Sequence, residues 1–261
     1  LLNDMPIQRI AWSPDGTQLL VQAGSAVSRA HGIHRYDLRA GSMETLVKQR
    51  DTADYDWNSH PRFAPDGKSF FYDRRKFPGR NEAVSGRFTD RIVRRDLRTG
   101  TEQVVYEPTA KLQVWWPFEV SPDGTRLAVV ESDQFVSPDF TVAITVVDLS
   151  TRGRTEVLRL AVRENVSSIA WTPDGKRLVF SKQPLNPKGT PTGDSEIVSV
   201  ALASPQPVHL KLALPVMRDI SISPSGRQLA FRAGHSRGLN LWVVEGLQRK
   251  PLVHNEPPAT R

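Results

Sequence analysis

The tetrapeptide Ser13-Pro14-Asp15-Gly16 recurs four more times along this chain of 261 residues, in the same or a closely similar form. The later copies begin at Ala64, Ser121, Thr172 and Ser223, so successive copies start 51, 57, 51 and 51 residues apart. Self-similarity at a fixed period of this length indicates a repeat architecture in which each repeat is one supersecondary unit. The period therefore predicts one continuous array rather than two separate domains.

Each copy has the chemistry of a tight β-turn. Proline fixes φ at the value that the second position of a type I turn requires, and glycine takes a left-handed φ without steric cost. Apolar residues alternate on both sides of the turn, as at Ile10 and Trp12 before the first copy and Leu19 and Val21 after it. This period of two predicts a β-hairpin with one buried face in every repeat.

A second hairpin follows the first within each repeat. The predicted strand pairs are Ile33–Leu38 with Met43–Val47, Arg91–Leu97 with Glu102–Tyr106, Ala143–Leu149 with Thr155–Leu160, Glu196–Leu202 with Pro207–Leu212, and Asn240–Glu245 with Lys250–His254. Four antiparallel strands per repeat are typical of one blade of a β-propeller. We predict an all-β propeller of five visible four-stranded blades and almost no helix. The blades occupy about residues 8–48, 58–107, 115–161, 166–213 and 217–255 of a single domain, 1–261.

The composition excludes several classes of site and partner. The chain has no cysteine, which rules out disulfides, thiolate zinc sites and a cysteine nucleophile. Its six histidines are scattered, and no apolar run reaches the length of a membrane span. We therefore predict no metal, no cofactor and no membrane span.

The chain is basic, with a net charge of +7 and positive clusters such as Arg74-Arg75-Lys76 and Arg152…Arg154. Positive charge of this kind attracts anionic surfaces, but it also blocks the pairing of exposed strand edges. Because no nucleic-acid-binding motif accompanies the charge, we interpret it as solvated outer strands and predict no nucleic-acid partner.

Two of the repeats carry a recognisable longer pattern. Residues Ile10–Leu19 read Ile-Ala-Trp-Ser-Pro-Asp-Gly-x-x-Leu, and residues Ile169–Leu178 read Ile-Ala-Trp-Thr-Pro-Asp-Gly-Lys-Arg-Leu. In these residues the chain resembles the TolB-like β-propeller family, over about residues 8–254. The resemblance implies a bacterial propeller that binds proteins or peptides, often in the periplasm. The same repeat also forms the gating propeller of serine peptidases of the prolyl-oligopeptidase type, and the sensor tails of bacterial regulators.

The number of repeats departs from that resemblance, which implies six blades or more. Either the five units form a five-bladed ring, or the chain is the C-terminal part of a larger propeller. We favour the second, because residues 1–8 are too short for a blade and the chain begins without methionine.

One motif imitates a catalytic element. Residues 234–238 match Gly-x-Ser-x-Gly, which carries the nucleophile of α/β-hydrolases on a strand-to-helix turn. Here the motif lies between two predicted strands of one blade, so we predict no catalytic role. The aspartates of the turns recur with the blade period, so we assign them to the turns: Asp15, Asp66, Asp123 and Asp174.

The segments that lead from one blade to the next vary more than the blades themselves. Residues 50–60 mix carboxylates, aromatics and histidine, and Val114–Pro117 contains two tryptophans. Binding residues concentrate on loops held by a rigid scaffold, and aromatic and arginine side chains are typical anchors. We predict a non-enzymatic, extracytoplasmic binding module that uses this loop face. The candidate binding residues are Asp54, Asp56, Trp57, His60, Trp115, Trp116, Arg163 and Arg218.

Overall fold

The computed structural model describes residues 6–24, 32–48, 55–77, 89–109, 112–133, 137, 139–234 and 240–245. In this part of the chain we find nineteen β-strands and no helix. Blade 1 contains β1 (Ile7–Trp12), β2 (Gln18–Ala23), β3 (Gly32–Asp37) and β4 (Ser42–Lys48). Blade 2 contains β5 (Tyr55–Phe63), β6 (Ser69–Phe77), β7 (Thr89–Asp96) and β8 (Glu102–Tyr106). Blade 3 contains β9 (Gln113–Val120), β10 (Arg126–Ser132), β11 (Val142–Asp148) and β12 (Arg154–Arg159).

The last two blades complete the array. Blade 4 contains β13 (Glu164–Trp171), β14 (Arg177–Pro184), β15 (Ser195–Ala201) and β16 (Pro207–Leu214), and blade 5 contains β17 (Met217–Ile222), β18 (Gln228–Ala233) and β19 (Asn240–Glu245). Each blade is an antiparallel sheet in chain order, and the five blades form a five-bladed β-propeller. The predicted fold class is thus confirmed. The fourth strand predicted for blade 5, Lys250–His254, lies outside the described residues.

The Pro-Asp-Gly turns join the first two strands of each blade, as predicted. In the third copy, Asp123 Oδ1 accepts hydrogen bonds from the Ser121 hydroxyl at 2.5 Å and from the Thr125 amide at 3.0 Å. The Gly124 amide donates to the Ser121 carbonyl at 2.8 Å, and Gly124 has a left-handed φ of 72°. One carboxylate therefore ties together both ends of the turn.

We expect Asp123→Ala to lower the free energy of unfolding by about 0.5–1.5 kcal/mol at neutral pH, the net contribution of a typical hydrogen bond, since one of its bonds is partly buried and the other exposed. The Ser121 hydroxyl, together with the Thr125 amide, lowers the pKa of Asp123 to about 2. A carboxylate with a lowered pKa stabilises the fold above its unfolded pKa of about 4, and this contribution disappears as the pH falls towards 2. Chemical denaturation at pH 7 and pH 3 should therefore show a smaller difference between wild type and variant at pH 3. Ser225→Ala is the control, because this serine occupies the equivalent turn position in blade 5 but carries no carboxylate.

The apolar core lies between the blades rather than in one central mass. In the largest cluster, Ile169 and Trp171 of blade 4 pack against Val130 and Ile144 of blade 3, and all four are buried. In blade 4 the positions before the turn that were predicted to be buried therefore form the contact with the preceding blade, whereas Ile10 and Trp12 of blade 1, also predicted to be buried, are 51% and 59% exposed. The guanidinium of Arg126 adds a cation–π contact to the Trp171 ring, at 5.1 Å from its centroid.

The predicted inter-blade loops are shorter than expected. The inner strand of blade 2 already begins at Tyr55, so Asp56, Trp57 and His60 lie in β5 rather than in a loop. The backbones of Trp115 and Trp116 lie in β9, and Arg218 lies in β17. The loop assignment was wrong here because pairing with the second strand continues beyond the alternating apolar stretch.

Candidate functional site

Every inner strand has a shift in register, a β-bulge or a similar irregularity, a few residues before its turn. The register shifts occur between Ile7 and Arg9 in β1, between Ser59 and Arg62 in β5, within Val114–Phe118 in β9, between Val166 and Ser168 in β13, and between Arg218 and Ser221 in β17. A bulge bends the strand and changes the direction of its side chains. The five shifts in register therefore redirect side chains at similar places around the propeller.

These redirected side chains surround a central cavity of about 670 Å³. All five inner strands contribute to its wall, so the cavity lies on the propeller axis. Its charged lining residues are Arg9, Arg62, Glu119, Asp219 and Arg232. Three guanidinium groups and two carboxylates thus line the cavity.

Asp219 joins two of the three arginines. Its Oδ1 accepts a hydrogen bond from Arg9 Nη1 at 2.9 Å, and its Oδ2 accepts one from Arg232 Nε at 2.5 Å. Asp219 has a left-handed φ of 55°, which is uncommon for a residue other than glycine. Such a conformation costs about 1–3 kcal/mol and is concentrated at functional sites.

The third arginine pairs with Glu119. Arg62 Nε donates to Glu119 Oε1 at 2.7 Å, and the Trp171 indole donates to the Glu119 backbone carbonyl at 3.0 Å. Burial raises the pKa of Glu119, and the charge and hydrogen bond of Arg62 oppose that shift. Blades 2, 3 and 4 are therefore linked by polar contacts beside the cavity.

A buried Ser-His-Asp cluster lies in the wall at blade 2. The Ser59 hydroxyl donates to Asp73 Oδ1 and lies 3.0 Å from His60 Nδ1, while His60 Nδ1 is 3.6 Å from Asp73 Oδ1. Ser59 and Asp73 are fully buried. A serine nucleophile is activated when its hydroxyl donates to an imidazole that a carboxylate orients. Here the hydroxyl donates to the carboxylate instead, so the cluster fixes the bulge and does not activate the serine.

Burial lowers the pKa of His60, although Asp73 opposes the shift. The unfolded chain therefore binds a proton at His60 more readily than the folded protein does. As the pH falls below about 6.5, this protonation lowers the free energy of unfolding. We expect His60→Gln to reduce the slope of unfolding free energy against pH between pH 7 and 5, by up to about 1.4 kcal/mol per pH unit. Urea titrations across this range measure the slope, with His209→Gln on an exposed strand as the control. An unchanged slope in His60→Gln would contradict the assignment.

The structure separates the predicted binding residues. His60 lines the central cavity. Arg218 lies close to Arg9: burial lowers the pKa of Arg9, and the positive charge of Arg218 adds a smaller shift in the same direction. Asp56 instead lines a second cavity of about 730 Å³, and Trp57 is its neighbour in β5. Arg163 lies between β12 and β13, 3.7 Å from Asp139. Asp54 and the side chains of Trp115 and Trp116 lie outside what the structure describes.

The sequence contains a signal for the residues that our prediction missed. Positions four residues before each turn are Arg9, His60, Pro117, Ser168 and Asp219, and positions two residues before it are Ala11, Arg62, Glu119, Ala170 and Ser221. Nine of these ten residues line the central cavity. They alternate with the apolar positions that pack between blades, and they differ from blade to blade. Alignment of the repeats would therefore have identified the cavity wall.

Comparisons with known proteins agree on the fold. No family model and no curated protein matches this sequence. A solved structure of a putative TolB from Agrobacterium tumefaciens is similar at a TM-score of 0.66 and 18% identity, covering 92% of this chain and 77% of that one. A prolyl endopeptidase is similar at a TM-score of 0.62 and 17% identity, covering 98% of this chain and 36% of that one. An oligogalacturonate lyase solved with manganese is similar at a TM-score of 0.55 and 18% identity, covering 90% of this chain and 73% of that one. At these identities the likeness shows the propeller fold.

Two further observations concern the described residues alone. Their histidine and carboxylate side chains form no group of three or more that could hold a metal ion. They also include no helix of the length and apolarity needed to cross a membrane.

Proposed function

We propose that this chain is a non-enzymatic β-propeller binding module that captures an acidic segment of a protein or peptide at its central cavity. The observation that carries the proposal is the concentration on one cavity wall of the variable positions of all five repeats, four of which contribute charged side chains. Rigid scaffolds commonly hold binding residues in this way, with arginine among the preferred anchors.

The charge balance favours an anionic ligand. Both carboxylates of the wall are already paired, Asp219 with Arg9 and Arg232, and Glu119 with Arg62. The arginines outnumber them, and the whole chain carries a net charge of +7. A carboxylate on a ligand can accept parallel hydrogen bonds from a guanidinium, which is the geometry that arginine offers. Encounter with such a ligand is also accelerated by the overall charge.

No activated nucleophile is found among the residues that the structure describes, which supports binding rather than catalysis. The Ser59 hydroxyl donates to Asp73 and not to His60. Of the Gly-x-Ser-x-Gly motif only Gly234 belongs to the described residues, where it follows β18 directly. We further propose an extracytoplasmic location, in keeping with the resemblance to TolB and with the lack of cysteine.

Fluorescence anisotropy with a labelled ten-residue peptide of glutamate and glycine tests this function. We expect the peptide to bind, and we expect the affinity to fall as the salt concentration rises, because exposed charge pairs are screened. Arg62→Gln should weaken binding about tenfold or more, since hydrogen bonds to charged groups contribute about 1.5–3 kcal/mol. Arg98→Gln, in an exposed turn of blade 2, should leave binding unchanged. Equal affinity for a lysine–glycine peptide would contradict the proposal.

One observation favours a second function, the gating propeller of a serine peptidase. The similarity to the prolyl endopeptidase covers nearly all of this chain but only 36% of that protein. In this case the cavity would belong to a passage for peptides, and catalysis would require a separate hydrolase domain. The complete reading frame distinguishes the two functions, because only the second requires an encoded hydrolase domain.

A further inference from the structure

Four of the five turns contain an Asp-Gly pair, and one of these four lacks a group that the others share. In the first, third and fourth turns, a hydroxyl on the residue before the proline donates to the aspartate Oδ1: Ser13 to Asp15 at 2.6 Å, Ser121 to Asp123 at 2.5 Å, and Thr172 to Asp174 at 2.6 Å. The second turn has Ala64 at this position, which has no hydroxyl to donate. Its aspartate, Asp66, accepts the backbone amide of Lys68 at 2.9 Å.

The second and third turns are otherwise closely matched. The turn glycine donates its amide to the carbonyl of the first turn residue at 2.9 Å in the second turn and 2.8 Å in the third, and its φ is 65° and 72°. The side chains of Asp66 and Asp123 are 46% and 52% exposed, and each lies near one arginine, Arg94 at 3.7 Å and Arg126 at 3.6 Å. The hydroxyl is therefore the main difference between the two aspartates.

An aspartate followed by glycine can rearrange without an enzyme. The glycine amide nitrogen attacks the aspartate Cγ, and the amide proton leaves with the carboxyl hydroxyl as water, which forms a five-membered succinimide. Water then adds to the aspartate backbone carbonyl carbon, whose bond to the glycine nitrogen breaks, and the product is isoaspartate. Glycine favours the attack because it has no Cβ to shield its nitrogen. The carboxyl group must be neutral, since a hydroxyl leaves as water far more readily than an oxide leaves.

The hydroxyl contact opposes this rearrangement. It holds Oδ1 in place, and it stabilises the ionised carboxylate, which is the unreactive form. This hydrogen bond is the largest cause of the lowered pKa of Asp15, Asp123 and Asp174. The pKa of Asp123 is about 2, against 3.8 for an unperturbed aspartate, so its neutral form is rarer by more than about tenfold.

We propose that Asp66-Gly67 is a site of spontaneous modification, at which the folded chain forms isoaspartate while the other three Asp-Gly pairs are protected. The product lengthens the main chain by one atom, inside a turn that is closed by the hydrogen bond from the Ala64 amide to the Ser69 carbonyl at 2.8 Å. The modification therefore loosens the hairpin of β5 and β6, which also carries His60 and Arg62 of the cavity wall.

Incubation of the full chain at pH 7 in water enriched in oxygen-18 tests the site, because hydrolysis of the succinimide places one labelled oxygen in the product. Trypsin in ordinary water then releases residues 63–68 and 112–126, and mass spectrometry compares the label at Asp66 and Asp123. We expect labelling at Asp66 to be faster by about tenfold or more in the folded chain. In urea, where the turns are lost, the two rates should converge, since both aspartates stand between proline and glycine.

Reciprocal variants are the matched controls. Ala64→Ser should lower the labelling of Asp66 to the level of Asp123, and Ser121→Ala should raise the labelling of Asp123. Ser121 is fully buried, so circular dichroism must first show that Ser121→Ala is folded; if it is not, Ala64→Ser and the wild-type comparison decide. Equal labelling of the two aspartates in the folded wild type, or unchanged labelling of Asp66 in folded Ala64→Ser, would overturn the proposal.

Discussion

Replacing Ile169 by alanine should lower the free energy of unfolding by about 2–5 kcal/mol, the range for removing a large aliphatic side chain from a packed core. The same change at Ile10 should lower it by less than about 1 kcal/mol, because exposed substitutions have small effects. The two residues occupy equivalent positions, but only Ile169 is buried between blades. Chemical denaturation of both variants, followed by circular dichroism, measures the difference.

The comparison between Ile169 and Ile10 is internally controlled. Both residues stand in an inner strand, three positions before the turn, so the loss of strand propensity, which spans about 1 kcal/mol, is nearly the same in both variants. The remaining difference reports packing between blades. Equal losses at the two positions would contradict the exposure of Ile10, which would then be buried in solution.

Most of the fold could be predicted from sequence because its determinants are local. The turn requires a proline, a hydrogen-bonding side chain and a left-handed glycine in four consecutive residues, and each repeat supplies them near Ser13, Ala64, Ser121, Thr172 and Ser223. Alternation then identifies the strand on each side. Even where glycine is replaced, as by Arg152 in the second hairpin of blade 3, the left-handed conformation is kept, with a φ of 65°.

The candidate site could be predicted only in part, because it depends on register. A bulge adds one residue to one strand, which reverses the side to which the following side chains point. His60 was identified by its residue type, but Arg9, Arg62 and Asp219 were missed because nothing in their own neighbourhood marks the bulge. Their position relative to the turn becomes informative only when the five repeats are aligned and the cross-strand pairing is known.

The exposure of Ile10 and Trp12 could not be predicted from residue types at all. Ile10 and Trp12 match Ile169 and Trp171 in kind and spacing, so sequence reasoning assigned the same burial to both pairs. Their exposure differs because burial here depends on a neighbouring blade, which is a property of the ring rather than of the repeat.

Replacing Asp73 by alanine should lower the free energy of unfolding by about 3 kcal/mol, because removing a buried charged acceptor leaves its donors without compensation. The carboxylate is fully buried and accepts the hydrogen bond of Ser59 beside His60. Burial disfavours its charge, but the neighbouring His60 imidazole and the hydrogen bond from Ser59 outweigh that effect and lower the pKa of Asp73. The bulge at His60 should therefore lose its support, and with it the orientation of the imidazole at the cavity wall.

Asp139→Ala is the matched control for Asp73→Ala. Its carboxylate is 70% exposed and lies 3.7 Å from Arg163, so its removal should cost less than about 0.5 kcal/mol. Asp73→Asn, which keeps the shape and an acceptor oxygen, should fall between the two. Urea unfolding gives the three free energies, and the imidazole NMR signals of His60 report its orientation. If Asp73→Ala costs no more than Asp139→Ala and leaves those signals in place, the buried cluster does not support the cavity wall.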